Sequence, residues 1–354
     1  MNVPLFMRNA PSNIDEDRLR GFLADQYRLP ISSLNPGPAG EESFSYIAAT
    51  VNRGPCFVRL QRRHWQPQSV TSFANSLMAA MVLREKALLP QVVAPYPTRQ
   101  ARAVCGFAGY TVAIFPLIQG RTLFNTRLSI RDVAEVARLL ARVHSVNPKS
   151  GFPRLLKEQF KDPFRANIHR VLRDTRLCRR INKIDPSHRR ALHLLNDHRE
   201  TILEAQRIMA RLRLQIRKVR PKLVLTHGDA NLANFIKDKQ DRLYLTDWGD
   251  AGLGPAERDL FHFSGNQLGT FLKHYTRIRK DVEVSTPTFA FYYYRWALQE
   301  ISDYSTRTFY LNRTVAEKRH SWEELKRWVP VPHDSISQDI ARIESILSKS
   351  RLTL

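Results

Sequence analysis

The chain has 354 residues, of which 43% are hydrophobic, and its 56 lysines and arginines against 33 acids give a formal net charge of +23. A chain of this length and apolar content can bury a sizeable core and usually forms two domains or lobes, which excludes a disordered protein. Its three cysteines, Cys56, Cys105 and Cys178, are far apart and have no C-x-x-C spacing. Neither a disulfide framework nor a zinc site is therefore indicated.

Membrane and secretion signals are the next class that the sequence excludes. No segment approaches the roughly 20 consecutive apolar residues that a bilayer-spanning helix needs. The first residues also lack the apolar core of a secretion signal. We expect a cytoplasmic protein without a membrane partner.

The N-terminal part of the chain predicts one helix and then short strands. The segment Ile14–Gln26 has apolar residues at helical spacing and follows a capping signal at Ser12 and Asn13. Two strand-like runs follow, Ser43–Val51 and Cys56–Gln61, with the turn sequence Asn-Arg-Gly-Pro between them. This order predicts a β-hairpin.

The middle of the chain predicts one more strand and then helices. The apolar run Tyr110–Gly120 is typical of a buried strand, and Ser129–His144 has valines and leucines at the spacing of an amphipathic helix, with Asp132 in its first turn. The region Phe160–Lys222 is helical in pattern and strongly basic. It is either a solvated helical face or an electrostatic surface for an acidic partner. No nucleic-acid-binding motif accompanies the charge, so we do not expect nucleic acid as a partner.

Two short leucine-rich runs further on each lead to a carboxylate. The runs are Leu223–Thr226 and Leu243–Thr246, which we interpret as a strand pair. Asp229 follows the first run in a His-Gly-Asp loop, and Asn234 comes five residues later. Asp247 follows the second run directly.

Phosphoryl transfer to an alcohol needs these three groups together. One carboxylate orients the acceptor hydroxyl and takes its proton, while an amide and a second carboxylate hold Mg²⁺ against the nucleotide phosphates. We assign the first role to Asp229 and the second to Asn234 and Asp247. The alternative is that these side chains only close turns by bonding to the backbone. For the nearby Asp250, closing a turn and a role in the site are equally good interpretations.

The same region carries a family resemblance. It contains HGDANLANF and then LTDWGDAGLGPAERDL. In order and spacing these stretches resemble the HGDxxxxN and IDWxxxxxGxxxxDL pattern of the aminoglycoside phosphotransferase and choline kinase family. The segments FVRL, VVAPYPT, GFAGYTVAIFPLIQGRTLF, LLARVHS and GPAERDL are most similar to spectinomycin phosphotransferases. A second similarity is to bacterial stress-response kinases, which phosphorylate proteins.

The resemblance implies a fold and a set of roles. The fold would be α+β, bilobal and protein-kinase-like, with an antiparallel-sheet, nucleotide-binding N-terminal lobe at residues 1–118 and a mainly helical C-terminal lobe for catalysis and substrate binding at residues 119–354. Asp229 would be the catalytic base, and Asn234 and Asp247 would be the Mg²⁺ ligands. His227 and Asp259 would brace the loops.

The resemblance also implies a nucleotide site in the N-terminal lobe. A loop before the hairpin, with Gly40 and Ser43, would cover the ATP phosphates, since glycine lets backbone approach a nucleotide closely. The segment joining the lobes would hold adenine through backbone groups near Phe115, Leu117 and Ile118. An ordinary surface turn and a buried strand without a ligand are the respective alternatives.

Arg59 is the sharpest departure from the family pattern, because it stands where the family has a lysine that grips the phosphates. Arginine keeps the charge, but its planar fork is longer and bulkier than an ammonium group. The helix that would supply an orienting glutamate has no acid over Ser69–Met81, and Glu85 is the nearest candidate. These differences fit an arginine that needs less orientation, and they fit a non-catalytic kinase.

Acceptor recognition is predicted on a late helix, Thr288–Thr308, where Trp296, Glu300 and Asp303 share a face at i, i+4 and i+7 spacing. Asp250 would approach from the catalytic side. Such a set suits a ring-shaped polyol with one or two amines, through cation–π contacts and charge-assisted hydrogen bonds. A core tryptophan with solvated acids is the alternative. The positive net charge disfavours polycationic acceptors.

Together these observations predict an ATP- and Mg²⁺-dependent O-phosphotransferase. Its acceptor would be a hydroxyl of a small molecule, by resemblance an aminoglycoside-like or spectinomycin-like antibiotic. Two other functions stay open. One is a stress-response-type Ser/Thr protein kinase, and the other is a nucleotide-binding protein that has lost catalysis.

Overall fold

A computed structural model describes residues 14–38, 43–62, 69–148, 151–178, 186–311 and 314–351. The chain forms two compact units. Unit 1 consists of Met1–Glu158, Leu223–His262 and Thr270–Asp281, and unit 2 consists of Gln159–Lys222, Phe263–Gly269 and Val282–Leu354. The lobe boundary near residue 118 stays a prediction. In the described ranges, none of the helices has the length and apolarity of a membrane span.

Unit 1 contains a five-stranded antiparallel sheet with the strand order β1-β2-β3-β5-β4. The predicted hairpin is confirmed as its β2–β3 pair, and the apolar run after residue 110 forms β5. The strands are β1 (Ile31–Pro36), β2 (Ser43–Thr50), β3 (Cys56–Arg62), β4 (Cys105–Phe107) and β5 (Tyr110–Pro116).

One face of this sheet forms a core with helix α1 (Glu16–Tyr27). Leu19 and Leu23 of the helix are fully buried there, together with alternate residues of the strands such as Val58 and Leu60. The helix begins after Asp15, whose carboxylate accepts a hydrogen bond from the backbone N–H of Arg18 at 3.0 Å. The capping signal predicted at residues 12 and 13 lies outside the described residues.

Helix α2 (Val70–Glu85) follows the sheet strand β3 and is capped by Ser69. Its buried residues include Phe73, Ser76 and Leu77. The hydroxyl of Ser76 donates to the carbonyl oxygen of Ala251 at 2.7 Å. The helix is thereby tied to the segment that follows Asp247.

Two small antiparallel sheets complete unit 1. One pairs β7 (Val224–Thr226) with β10 (Gly252–Gly254), and the other has the order β6-β8-β9. The strands of the second sheet are β6 (Gly120–Thr122), β8 (Phe235–Asp238) and β9 (Leu243–Leu245).

The interpretation of the two leucine-rich runs as one strand pair is wrong, although both runs are strands. The polar turn between β8 and β9 is short enough to close a hairpin, so β9 pairs with β8. The other run, β7, pairs instead with the glycine-containing β10, where Gly254 would place a Cβ atom 3.0 Å from the side chain of Arg258. The two carboxylates are therefore delivered from two sheets.

Helix α3 (Ile130–Ser145) confirms the predicted amphipathic helix, with a capping box between Ser129 and Asp132. Its N-terminal end is anchored by Lys237 of β8, whose side chain is only 2% exposed. The ammonium group lies 2.5 Å from Asp132, 3.0 Å from Glu135 and 3.2 Å from Asp241. Burial would lower the pKa of Lys237, but hydrogen bonds to these acids raise it above its ordinary value.

Unit 2 is built around helix α9, which packs against four other helices and has most of its residues buried. The helical prediction for the basic region is confirmed by α4, α5 and α6. In chain order, the helices of this part are α4 (Arg165–Cys178), α5 (Pro186–Asp197), α6 (Arg199–Val219), α9 (Thr286–Thr306), α10 (Val315–Trp328) and α11 (His333–Arg351). Two further helices lie between α6 and α9 in the chain, α7 (Glu257–Leu260) and α8 (Leu268–Thr276).

Candidate active site

Asp229, Asn234 and Asp247 lie near one another in unit 1, and the roles predicted for them stay predictions. Asp229 lies in the loop after β7, Asn234 ends a 3₁₀ turn before β8, and Asp247 follows β9 by two residues. The amide nitrogen of Asn234 donates to the Asp229 carboxylate at 2.9 Å and to the Asp229 carbonyl at 2.8 Å. These two hydrogen bonds fix the orientation of the Asn234 amide. Because its nitrogen is engaged, its oxygen is the atom that could bind a cation.

The loop carrying Asp247 is joined to Asn234 and His227 through Thr246. The backbone N–H of Thr246 donates to the carbonyl oxygen of Asn234 at 2.9 Å. The Nε2 atom of His227 donates to the carbonyl oxygen of Thr246 at 2.8 Å, and its ring packs on that of Trp248. These contacts hold the three polar residues in one place.

Asp247 itself has a left-handed backbone conformation, with φ at +58°. A non-glycine residue in this region is strained, and such strain concentrates at functional sites. Its carboxylate forms an ion pair with Nη1 of Arg59 at 2.5 Å. Burial would raise the pKa of Asp247, but the charge and hydrogen bond of Arg59 hold this pKa below its ordinary value.

Asp259 braces the His-Gly-Asp loop from beneath. Its carboxylate accepts hydrogen bonds from the backbone N–H groups of His227 at 2.7 Å and Gly228 at 2.8 Å, and from Nε2 of His144 at 2.9 Å. The side chains of both Asp259 and His144 are fully buried. Burial acts to raise the pKa of Asp259, but the hydrogen bonds from His144 and from the backbone N–H of Gly228 lower this pKa to about 2.

His144 is a supporting residue that was not predicted from the sequence. Because its Nε2 donates to Asp259, its Nδ1 accepts a hydrogen bond from the hydroxyl of Tyr275 at 2.7 Å. A polar chain thus runs from Tyr275 through His144 and Asp259 to the loop. The sequence feature that could have indicated this role is the position of His144 near the end of α3, on the apolar side of the helix and inside the segment LLARVHS.

Gly228 is required by the geometry of this loop. Its φ is +91°, and a Cβ atom there would lie 2.3 Å from the carbonyl oxygen of Asp250 and 2.7 Å from Nη2 of Arg258. Only glycine has both the conformational freedom and the space for this position. The backbone of Asp250 consequently lies close against the His-Gly-Asp loop.

The carboxylates of the site are electrostatically different. Burial raises the pKa of Asp229, and the negative charge of Asp247 raises it further, although His227 and amide hydrogen bonds oppose the shift. Desolvation by the surrounding chain also raises the pKa of Asp250, and the negative charge of Asp229 adds to this effect. A site with one stabilised carboxylate and one more basic carboxylate is suited to divided roles.

Three of the residues predicted to bind nucleotide lie on strands of the five-stranded sheet, and all three are on the same face. Ser45 faces Arg59 and Arg59 faces Ala113 across the strands, and successive side chains alternate between faces. Ser43, Arg59 and Phe115 are therefore on the face opposite the α1 core. Ser43 and Phe115 are buried.

The other residues predicted to bind nucleotide are Gly40, Leu117 and Ile118. Gly40 lies outside the described residues. Leu117 and Ile118 follow β5 and are half-buried, and the backbone N–H of Leu117 donates to the carbonyl oxygen of Pro55 at 3.2 Å. Binding of adenine by this segment stays a prediction.

The predicted acceptor residues of α9 lie in unit 2. Nε1 of Trp296 donates to the carboxylate of Glu300 at 3.0 Å, and the Trp296 ring contacts that of Trp328 with centroids 4.8 Å apart. Asp303 is half-buried further along the same helix. Asp250 belongs to unit 1. A common role for these four residues stays a prediction.

Comparison with known proteins places this chain among phosphotransferases. The model of the phosphotransferase enzyme family (APH) matches residues 34–283. Protein StrN of Streptomyces griseus is 26% identical over 343 residues, which is 93% of this chain and 95% of StrN. This sequence similarity extends over nearly the whole length of both proteins.

Two solved structures show the same fold. Spectinomycin phosphotransferase APH(9)-Ia, in complex with ADP and spectinomycin, has a TM-score of 0.71 at 18% identity, covering 89% of this chain and 95% of its own. An aminoglycoside phosphotransferase from Alicyclobacillus acidocaldarius has a TM-score of 0.57 at 13% identity, covering 97% and 99%. The predicted family and the predicted α+β, protein-kinase-like fold are confirmed. The chain belongs to the phosphotransferase enzyme family and is an enzyme of the kinase type.

Proposed function

We propose that the protein transfers the γ-phosphoryl group of ATP to a hydroxyl of a small molecule, with Mg²⁺ as the metal. The observation that carries this proposal is the convergence of Asp229, Asn234 and Asp247 within one hydrogen-bonded loop system. This arrangement supplies a base and two oxygen ligands, which are the groups that phosphoryl transfer to an alcohol requires.

Asp229 acts as the base in this mechanism. Each of its carboxylate oxygens accepts one amide hydrogen bond, from Asn231 at 2.8 Å and from Asn234 at 2.9 Å. A carboxylate has further lone pairs, so it can also accept the acceptor hydroxyl's proton. As this proton moves to Asp229, the acceptor oxygen forms its bond to the γ-phosphorus and the bond to the leaving ADP breaks. The raised pKa of Asp229 strengthens it as a base.

The oxygen donors fit Mg²⁺, which prefers carboxylate and amide oxygens. The Asn234 amide oxygen and the Asp247 carboxylate would hold the ion, because the nitrogen of Asn234 is engaged by Asp229 and the Asp247 carboxylate stays ionised beside Arg59. When bound, Mg²⁺ would neutralise negative charge on the phosphates. Arg59 adds a second positive charge on the sheet face that carries Ser43 and Phe115.

For the acceptor we propose an amine-bearing hydroxylated antibiotic of the spectinomycin or aminoglycoside type. Support comes from the similarity to a spectinomycin phosphotransferase and from the exposed residue Asp250, whose carboxylate can attract an amine. The net charge of +23 favours an acceptor with few amines over a polycation. The intact base, ligand pair and Asp259 brace argue against the non-catalytic alternative.

The test is ADP release from ATP by the purified protein, with and without Mg²⁺, against spectinomycin, several aminoglycosides, other hydroxylated antibiotics and a general protein substrate. Asp229→Asn serves as the inactive control. Strong Mg²⁺-dependent release with one small molecule supports the proposal. Release only with the protein substrate favours a protein kinase, and ATP binding with silence across the panel contradicts the proposed acceptor class.

A further inference from the structure

Arg59 has an aromatic neighbour on helix α2. Phe73, in the first turn of α2, is only 6% exposed. The Cζ atom of Arg59 lies over its ring, 5.6 Å from the ring centroid. This is within the distance at which a guanidinium group and an aromatic face attract each other. On α2, the side chain that faces Arg59 is thus a ring and not an acid.

The same ring also contacts the loop that carries Asp247. A Cβ atom at Gly249 would lie 2.8 Å from Cε2 of Phe73, so the close approach of ring and loop depends on glycine at this position. One turn further along α2, the hydroxyl of Ser76 donates to the carbonyl oxygen of Ala251. Phe73 is therefore held in place by the loop on one side and packs under Arg59 on the other.

We propose that Phe73 is a positioning residue that replaces an orienting acid and directs Arg59 towards Asp247 and the nucleotide phosphates. The inference rests on the proposed ATP-dependent transfer. A ring face holds the guanidinium plane without using its N–H donors, which all lie at the edge of that plane. An acid at the same place would compete for these donors and draw them away from Asp247 and from phosphate.

Under this proposal, Arg59 and the absence of an acid over Ser69–Met81 are two linked features of this chain. A lysine ammonium has no plane to lay against the ring, so Phe73 orients arginine far better than lysine. Arg59 and Phe73 should depend on each other in nucleotide binding. This accounts for an α2 without acids over Ser69–Met81 in an enzyme that keeps its catalytic trio.

The experiment is a double-mutant cycle on the binding of Mg²⁺ with a non-hydrolysable ATP analogue, measured by calorimetry and paired with KM and kcat for ATP. We expect Phe73→Leu to weaken analogue binding and raise KM on the order of tenfold, with a smaller change in kcat. Phe73→Tyr keeps the ring and should stay within about twofold of wild type. In the Arg59→Lys background, Phe73→Leu should have little further effect.

Two controls separate orientation from stability. Leu77→Val, at a fully buried position of the same helix, should lower the melting temperature without changing analogue affinity. The Nε–Hε proton of Arg59 should show an upfield ring-current shift in NMR spectra that Phe73→Leu removes. Wild-type affinity in a folded Phe73→Leu variant, or additive losses in the cycle, would overturn the inference. A wild-type protein that binds no ATP analogue would instead refute the proposed function.

Discussion

Arg59 and Asp247 are 188 positions apart in the sequence, yet Nη1 of Arg59 lies 2.5 Å from a carboxylate oxygen of Asp247. The pair joins the middle strand β3 of the five-stranded sheet to the loop after β9. Arg59, which we propose binds the nucleotide phosphates, is thereby paired with Asp247, which we propose binds Mg²⁺. The proposed catalytic centre is assembled from distant segments, which are held by Ser76 of α2 and by the hydrogen bonds of Asp259 to the His-Gly-Asp loop.

Removal of the base should separate chemistry from binding. Asp229→Ala is expected to lower kcat by about 10²- to 10⁴-fold, because the acceptor hydroxyl loses its proton acceptor, while ATP affinity stays within a few-fold of wild type. Steady-state kinetics and calorimetry measure the two quantities. The exposed Asp17 provides a matched control, since Asp17→Asn should leave both unchanged. Full activity of Asp229→Ala would refute its role.

Removal of the metal ligand should impair binding as well as turnover. Asp247→Ala is expected to weaken Mg²⁺-ATP binding on the order of 100-fold, since the ion loses a carboxylate ligand. Affinity for ATP measured without Mg²⁺ should change much less. Equal losses with and without Mg²⁺ would argue that Asp247 acts only through Arg59.

Asp259 should make the protein sensitive to acid. Its folded pKa of about 2 is below the ordinary value of 3.8, so its stabilising contribution is complete above about pH 4 and is lost as the pH falls towards 2. The contribution is on the order of 2–3 kcal/mol.

Urea unfolding of wild type and Asp259→Asn over this range measures the effect. The variant should be less stable near neutral pH, and its stability should fall less between pH 4 and pH 2. Parallel pH profiles for the two proteins would contradict the assigned pKa.

Glycine at position 228 should be irreplaceable. Gly228→Ala is expected to lower the free energy of unfolding by several kcal/mol and to remove most of the activity. The alanine would have to adopt the left-handed backbone conformation of Gly228, and its Cβ atom would collide with the backbone of Asp250. Gly269, in helix α8, has open space around it, so Gly269→Ala should raise stability by about 0.5–1 kcal/mol. Similar stability changes in both variants would contradict the loop geometry.

The parts of the fold that local patterns determine were predictable from the sequence. The β2–β3 hairpin has a turn sequence between two strand-like runs, and α3 has its cap and apolar face within one segment. Asp229, Asn234 and Asp247 were singled out by motif spacing and by the family resemblance, and the structure places them near one another, while their roles stay predictions.

Contacts between distant segments were not predictable in the same way. The partners of β7 and β9 depend on which edge each neighbouring segment occupies, and both runs look alike in the sequence. His144 and Phe73 look like ordinary residues of an apolar helix face, and only the tertiary arrangement places Asp259 beside one and Arg59 beside the other.

The most direct test of the central claim is the fate of the γ-phosphoryl oxygens. The protein would be incubated with Mg²⁺, spectinomycin or the best acceptor of the panel, and ATP whose three non-bridging γ-oxygens are ¹⁸O, and the products analysed by mass spectrometry. We predict a phosphorylated acceptor that carries three ¹⁸O atoms, with its bridging oxygen unlabelled and supplied by the acceptor, and no such product with Asp229→Asn. Label found only in inorganic phosphate or on protein would contradict phosphoryl transfer to a small-molecule hydroxyl.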